Sequence, residues 1–500
     1  MGALDTSIVN VALPYIRANM GATVTEITWI STGYIIALVI VMPLTAWLSQ
    51  IFGRKRLYMA CLALFTVSSF LCGAAWSLTS LIVFRVIQGI GAGVMMPVQQ
   101  AILRETYPPH QQGLAMGIFG VAVMIGPAVG PTLGGWITDN YNWPWIFYVN
   151  VPIGFIGLWM VNSFIHDPAH ARARRSEAGI DAAGIILLTV GLAALQTVLE
   201  QGQSEDWFES RFIIAFTVVA TIALLAFVWW ELRAEKPVVE LRLLREATFA
   251  TGTFIGGILG VSLFASMFLL PLFLQELLGY PALTSGLVMM PRALVMVPLM
   301  PIAGLLYNYV GTRVMIGAGL LIAGSAPLMM ARFNLDSTRM DLLWPQMTQG
   351  IGFALIFVAL STTSLAVIDR RKLTAATGLY NLVRQLGGSF GTAIFASMLT
   401  NQQQVARAQL VKFISPYRPA YALQSQTLYQ LGLVGRGINP YDAQVKTLKF
   451  FEGIVNQQAA VLAFDHTFFV IGMLFLICLP LVLLLKENPH RHLDRHASEA

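Results

Sequence analysis

The sequence predicts an all-α integral membrane protein: two parallel six-helix halves with a pair of helices inserted between them, fourteen transmembrane helices in all. Three observations carry this prediction. Only 11% of the 500 residues are charged and 56% are hydrophobic, whereas a soluble globular chain carries roughly 25% charged residues. Uncharged apolar stretches near the bilayer-spanning length of about 20 residues recur along the whole chain. The chain also repeats itself. Gln88-Gly89-Ile90-Gly91 returns as Gln349-Gly350-Ile351-Gly352, and in the same register Gly117 meets Gly378, Gly126 meets Gly387 and Gly130 meets Gly391. A second pattern, Leu48 to Gly53, returns as Leu306 to Gly311. Parallel repeats of this kind belong to transporters that rock about a site near the bilayer midplane.

The N-terminal half (1–166) holds spans at about 1–18, 28–49, 57–76, 79–103, 113–138 and 145–166. The inserted pair, 181–200 and 211–230, lies with its linkers in 167–247. The C-terminal half (248–485) holds 248–274, 284–307, 314–331, 343–367, 376–399 and 463–485. Each reads as a helix because lipid offers the backbone no hydrogen-bond partner. The first is unusual. Asp5 stands so close to the chain's start that a full-length span cannot bury it deeply: either helix 1 is short or the true start lies upstream. It also holds Asn10 and lacks a basic leader, so it is no cleavable signal. The fifth carries Ala122, Gly126, Gly130 and Gly134 four residues apart, a stripe that lets a neighbouring backbone approach. Pro127 and Pro131 each remove a backbone donor from that helix. Segment 400–462 is polar, rich in Gln and outside the membrane, and 486–500 is a tail.

Basic residues set the orientation. One set of loops holds Arg54, Lys55, Arg56, Arg104, Arg172, Arg174, Arg175, Arg233, Lys236, Arg242, Arg245, Arg313, Arg370, Arg371 and Lys372, and the tail adds Lys486, Arg491 and Arg495. The opposite short loops hold only Arg17, Arg211, Arg332 and Arg339. Both termini are therefore expected in the cytoplasm. The net charge of +6 follows from this topology and does not indicate a nucleic-acid partner. Cys61, Cys72 and Cys478 all lie in apolar segments and give no disulfide framework.

Ionisable residues inside a membrane are costly and mark function by default. The clear cases are Asp5, Arg85, Arg292 and Arg384; Glu200, Asp465 and His466 fall near span ends. Removing a carboxylate from water favours its protonated form, which makes Asp5 the candidate proton carrier; the alternative is that it caps a short first helix. Arg85, one turn before Gln88, is either a fixed charge that tunes a nearby carboxylate or an arginine satisfied by backbone carbonyls. Arg384 and Gln385 pose the same choice in the second half. Arg292 follows Pro291 and is expected to take a carbonyl freed at the bend. No metal-ligand spacing, nucleotide loop or Ser/His/Asp arrangement occurs, so no cofactor is expected and ATP is not the energy source.

At these residues the chain resembles the fourteen-helix drug:proton antiporter branch of the major facilitator superfamily, typified by EmrB and QacA. Leu4 to Pro14 resembles the branch's helix 1 motif, and Arg85 to Gly93, with Gln88, Gly89 and Gly93, its helix 4 motif. Gly126-Pro127-Ala128-Val129-Gly130-Pro131-Thr132-Leu133-Gly134-Gly135 resembles the antiporter motif of helix 5, and Asn150 to Gly154 the start of helix 6. Val455-Asn456-Gln457-Gln458 favours the EmrB side. One motif departs: the loop gate after helix 2 reads Gln50, Gly53, Arg54, Lys55, with Gln50 in the aspartate's place and Asn308 as its counterpart. The charged latch is thus reduced to neutral hydrogen bonds.

The resemblance implies a multidrug efflux antiporter of the inner membrane, exporting hydrophobic or amphipathic small molecules as protons enter. Asp5 would carry the proton, Arg85 would set its affinity, and helix 5 would bend and seal against the second half. Three core arginines against one aspartate favour neutral, monocationic or weakly acidic lipophilic cargo. Where the host has two membranes, EmrB-like pumps imply a periplasmic adaptor and an outer-membrane channel as partners. The rivals are a proton-coupled transporter of one metabolite, either uptake symporter or dedicated exporter, and a non-transporting membrane sensor.

Overall fold

The computed structural model describes residues 1–165, 181–415, 417–433 and 439–485. The basic residues Arg172, Arg174, Arg175, Lys486, Arg491 and Arg495, with the 486–500 tail, lie outside them. Among the described residues there is no strand. The first half comprises α1 (Gly2–Met20), α2 (Val24–Phe52), α3 (Arg54–Gly73), α4 (Leu78–Thr106), α5 (Gln112–Asn140) and α6 (Asn150–Phe164), the last preceded by the single turn Trp145–Tyr148. Next come α7 (Ala182–Gln201) and α8 (Arg211–Arg233). The second half comprises α9 (Ala247–Leu272), α10 (Ala282–Val310), α11 (Thr312–Met330), α12 (Arg339–Ala366), α13 (Leu373–Val411) and α14 (Pro440–Ile477). Twelve of these helices are long and apolar enough to cross a membrane; α1 and α13 are less apolar and pack along α5 and α9.

The repeat extends to how helices begin and end. Gly53 (φ 81°) separates α2 from α3, and Gly311 (φ 87°) separates α10 from α11. Both glycines sit in the left-handed region that other residues avoid. Ser77 caps α4 through a reciprocal bond pair with Ser80, and Thr338 caps α12 the same way with Asp341. These capping boxes satisfy backbone donors at equivalent helix starts.

Two places depart from the sequence reading. The segment 400–462 is not a loop. Helix α13 runs on to Val411, a further helix covers Pro419–Thr427, and α14 begins at Pro440. Arg407 of α13 binds Glu452 and Asn456 of α14, so the two extensions brace each other. Polarity showed only that this stretch leaves the membrane; its Gln- and Ala-rich flanks extend the two adjoining helices.

The second concerns α5. Its stripe faces α1, not the second half. A Cβ on Gly126 would lie 2.6 Å from the Leu4 nitrogen, one on Gly130 2.5 Å from Ser7 Cβ, and one on Gly134 3.1 Å from the Ile8 carbonyl oxygen. Ala122 is exposed. Helix α10 of the second half packs along another face of α5, from Gly113 to Thr132. There a Cβ on Gly113 would lie 2.5 Å from the Gly304 carbonyl oxygen, and one on Gly117 would run into the Met300 carbonyl of α10. Residues four apart define a face, but the same helix rotates a different face of small residues toward each neighbour. Helix α5 is continuous through Pro127 and Pro131.

Helix α7 lies against α2 and α13, while α8 packs chiefly on α7. Polar side chains make the bridge. Gln201 donates to Thr28 (3.2 Å) and Thr32 (3.3 Å) of α2. Gln196 donates to Ser389 (2.6 Å), and Ser397 donates to Gln203 (2.7 Å), on the α13 side.

Candidate functional site

Asp5 is fully buried where α1 passes the middle of its neighbours. Gly2 lies against Tyr34 of α2 and Ala92 of α4. The carboxylate does not cap its helix; the helix start has no side-chain cap bond. Its oxygens instead collect three donors from two other helices. Arg85 Nη1 donates to Oδ2 at 2.5 Å; Gln88 Nε2 (3.0 Å) and Asn150 Nδ2 (2.9 Å) donate to Oδ1. Both members of the Asp5–Arg85 pair are 0% exposed. A buried pair needs further hydrogen bonds to offset its desolvation; here they reach both carboxylate oxygens and two of the three guanidinium nitrogens, and leave Arg85 Nη2 buried without a partner. Arg85 Nη1 also donates to Gln88 Oε1 (2.7 Å), its Nε donates to the Ile30 carbonyl (3.2 Å), and its guanidinium lies 4.1 Å from the Tyr34 ring centroid. Asn150 is held in turn by Ser69 at 3.2 Å.

Helix packing places these groups. Gly89 lies on the Tyr34 carbonyl, and a Cβ on Gly93 would lie 2.6 Å from the Leu38 carbonyl oxygen, so α4 runs against the backbone of α2. That close crossing puts Arg85 and Gln88 opposite Asp5. Every charged or amide partner of Asp5 sits near the start of α4 or α6, in the half of the bundle away from the basic turns.

The second-half candidates do not join this cluster. Arg292 does not take a proline-freed carbonyl; its Nη1 donates to Gln349 Oε1 (3.2 Å), and Gln349 Nε2 donates to Ser266 (3.0 Å). No carboxylate lies within ion-pair distance of it among the described residues. Arg384 is half-buried between Met96 of α4 (3.5 Å) and the Phe357 ring of α12 (5.6 Å). Gln385 beside it is also half-buried.

The halves meet below Arg384. Asn381 donates to Gln100 (2.6 Å), Thr377 to the Pro97 carbonyl (2.9 Å), and Asn308 to the His110 carbonyl (2.7 Å). These and Arg384–Met96 are side-chain hydrogen bonds that join the first six helices directly to the last six. All lie between mid-bundle and the basic end, so that end is closed. The loop-gate residues divide the work. Arg54 pairs with Glu105 and Lys55 donates to the Asn162 carbonyl (2.7 Å), both within the first half; Gln50 is half-buried, and the cross-half contact falls to Asn308.

Sequence reasoning missed Asn150 as a ligand of Asp5, and it missed Tyr34, Ser69, Gln100 and Asn381. Each is a polar group inside an apolar span, which is the signal that could have found them.

A charge pair sealed inside one helical bundle, and a seam where two such bundles close at one end, define a membrane transporter of the two-half type. The chain belongs to the major facilitator superfamily: the family model described as Major Facilitator Superfamily matches residues 1–392. It is a transporter, not an enzyme. It is 35% identical over 486 residues to the multidrug export protein EmrB of Escherichia coli (strain K12), covering 96% of this chain and 92% of that protein. It is 33% identical over 492 residues to the fatty acid resistance protein FarB of Neisseria gonorrhoeae, covering 98% and 94%. Among solved structures, the human organic anion transporter MFSD10 shares the fold, with a TM-score of 0.59 at 14% identity over 96% of each chain.

Proposed function

We propose that this protein is a proton-coupled efflux antiporter that exports hydrophobic or amphipathic small molecules across the inner membrane, with both termini in the cytoplasm. The observation that carries the reading is the buried Asp5 carboxylate held by Arg85, Gln88 and Asn150, in a chain similar over nearly its whole length to multidrug export proteins.

A proton arriving at Asp5 cancels its charge and releases Arg85 from an ion pair. The energy of that rearrangement is available to favour one arrangement of the halves over the other. With the basic end taken as cytoplasmic, the present structure is closed toward the cytoplasm. Proton entry from outside then precedes opening inward, and loss of the proton inside resets the cycle. The proton gradient supplies the energy and no cofactor takes part. Arg384, with Met96 and Phe357 beside it, offers a cation and apolar surface to an amphipathic cargo. The braced helices at 400–462 are the part of the chain placed to meet a periplasmic adaptor, itself leading to an outer-membrane channel.

The test is efflux from a pump-deficient host across a panel of neutral, cationic and weakly acidic lipophiles. Expression should lower accumulation of at least one class, and a protonophore should abolish the difference. Accumulation raised rather than lowered by expression would establish uptake instead.

A further inference from the structure

The seam between the halves forms a pocket of about 320 Å³ at the basic end, open to solvent on the side of Asp369 and Arg370. Arg104 and Gln112 line it from the first half; Tyr307, Thr362, Asp369 and Arg370 line it from the second. Arg104 is only 9% exposed, and its Nη1 is buried without a hydrogen-bond partner. It forms no ion pair among the described residues; the neighbouring Glu105 is taken by Arg54. The Gln112 amide is already committed, donating to the carbonyls of Arg104 (3.0 Å) and Tyr107 (3.1 Å). Asp369 is the one carboxylate lining the cavity, and it accepts the Arg371 backbone N–H at 2.9 Å. The lining therefore carries two guanidinium groups, one from each half, against one carboxylate.

Closing the seam brings like charges together at the place where Gln50 and Asn308 have left the gate neutral. A guanidinium takes an oxyanion through paired, charge-assisted hydrogen bonds. We propose that this cavity binds a phosphate-type oxyanion between Arg104 and Arg370, and that the ion completes the cytoplasmic gate. The site exists only while the halves are closed there, so its occupant stabilises the closed state by mass action. The oxyanion has two available sources, free inorganic phosphate and the headgroup of an anionic lipid.

The test uses the full chain in phosphatidylcholine nanodiscs, with inorganic phosphate titrated against chloride at fixed ionic strength and Tm read by tryptophan fluorescence. Wild type should show a saturable rise of a few degrees. So should Arg56→Gln, an exposed basic residue at the same end but outside the cavity. Arg104→Gln and Arg370→Gln should show none; Arg370 is exposed, so its variant decides the matter if Arg104→Gln does not fold. A rise only in phosphatidylglycerol nanodiscs, lost in the same two variants, assigns the site to a lipid headgroup. No rise with either source, or equal rises in wild type and both variants, overturns the proposal.

Discussion

Gly89 and Gly350 hold equivalent places in the two halves, each laying one helix on a backbone carbonyl of its neighbour: Tyr34 in the first half, Arg292 in the second. Around that shared crossing the side chains differ. Gln88 and Gln349 match, but Gln346 stands where the first half has Arg85. The first half holds a cation paired with a carboxylate, with Arg85 Nη2 left over. The second holds Arg292 among Gln349 and Ser266, with both side-chain polar atoms of the fully buried Gln346 left without partners. Small residues at the crossing fix how the helices meet, and that leaves the polar positions free to diverge. One copy is built around an acid that can be neutralised, the other around a cation that cannot.

The largest expected effect breaks this asymmetry at its centre. Asp5→Asn keeps the three donors within reach but removes the charge. Proton-driven efflux in inverted vesicles should fall to the background of vesicles lacking the protein, while substrate counterflow persists. Full proton-driven transport in this variant would move the carrier elsewhere, with Glu200 and Asp465 next in line.

Packing should fail alike in both halves. Gly130→Leu pushes a side chain into Ser7, and Gly391→Leu pushes one against the Val261 carbonyl at 2.5 Å. Each should cost about 1–3 kcal/mol of stability, the usual penalty of overpacking. Melting of the detergent-purified variants measures this, and both should lose at least most of their transport. A Gly130→Leu protein as stable as wild type would mean that α1 and α5 separate freely.

The smallest effect sharpens the contrast. Arg85→Ala removes the cation that pairs with Asp5, and the pH profile of efflux should move toward higher pH. Arg85→Lys should move it less, since charge is kept while the guanidinium geometry is lost. Arg292→Gln should leave the profile's midpoint in place, because no carboxylate answers to it. A shift in Arg292→Gln equal to that in Arg85→Ala would show that the two clusters titrate as one.

The membrane class, the repeat and the identity of the charged core residues were legible in the sequence, because a charge in an apolar span is conspicuous. Their partners were not. Asn150 reaches Asp5 across 145 residues of chain, and nothing local to either residue reports the contact. The stripe at Gly126, Gly130 and Gly134 announced a close approach but not which helix makes it; α1 was as admissible as α10. Arg292 was assigned to a carbonyl by its neighbour Pro291, and the facing Gln349 of another helix won instead. Asn308 and Gln50 read as equals, and Asn308 is the one whose side chain bonds to the other half, at the His110 carbonyl.

The amides of α7 have a consequence for biogenesis. Gln201 finds Thr28 and Thr32 already synthesised when it enters the bilayer. Gln196 must wait for Ser389, 193 residues later, which at ribosomal rates of ~5–20 residues per second is roughly 10–40 s. In that interval the Gln196 amide has only Glu200, one turn on in its own helix (2.9 Å), and α7 is held to the first half only on its α2 side. Arrival of α13 gives Gln196 its contact with another helix. A chain stalled before α13 therefore leaves α7 without its second seat in the bundle.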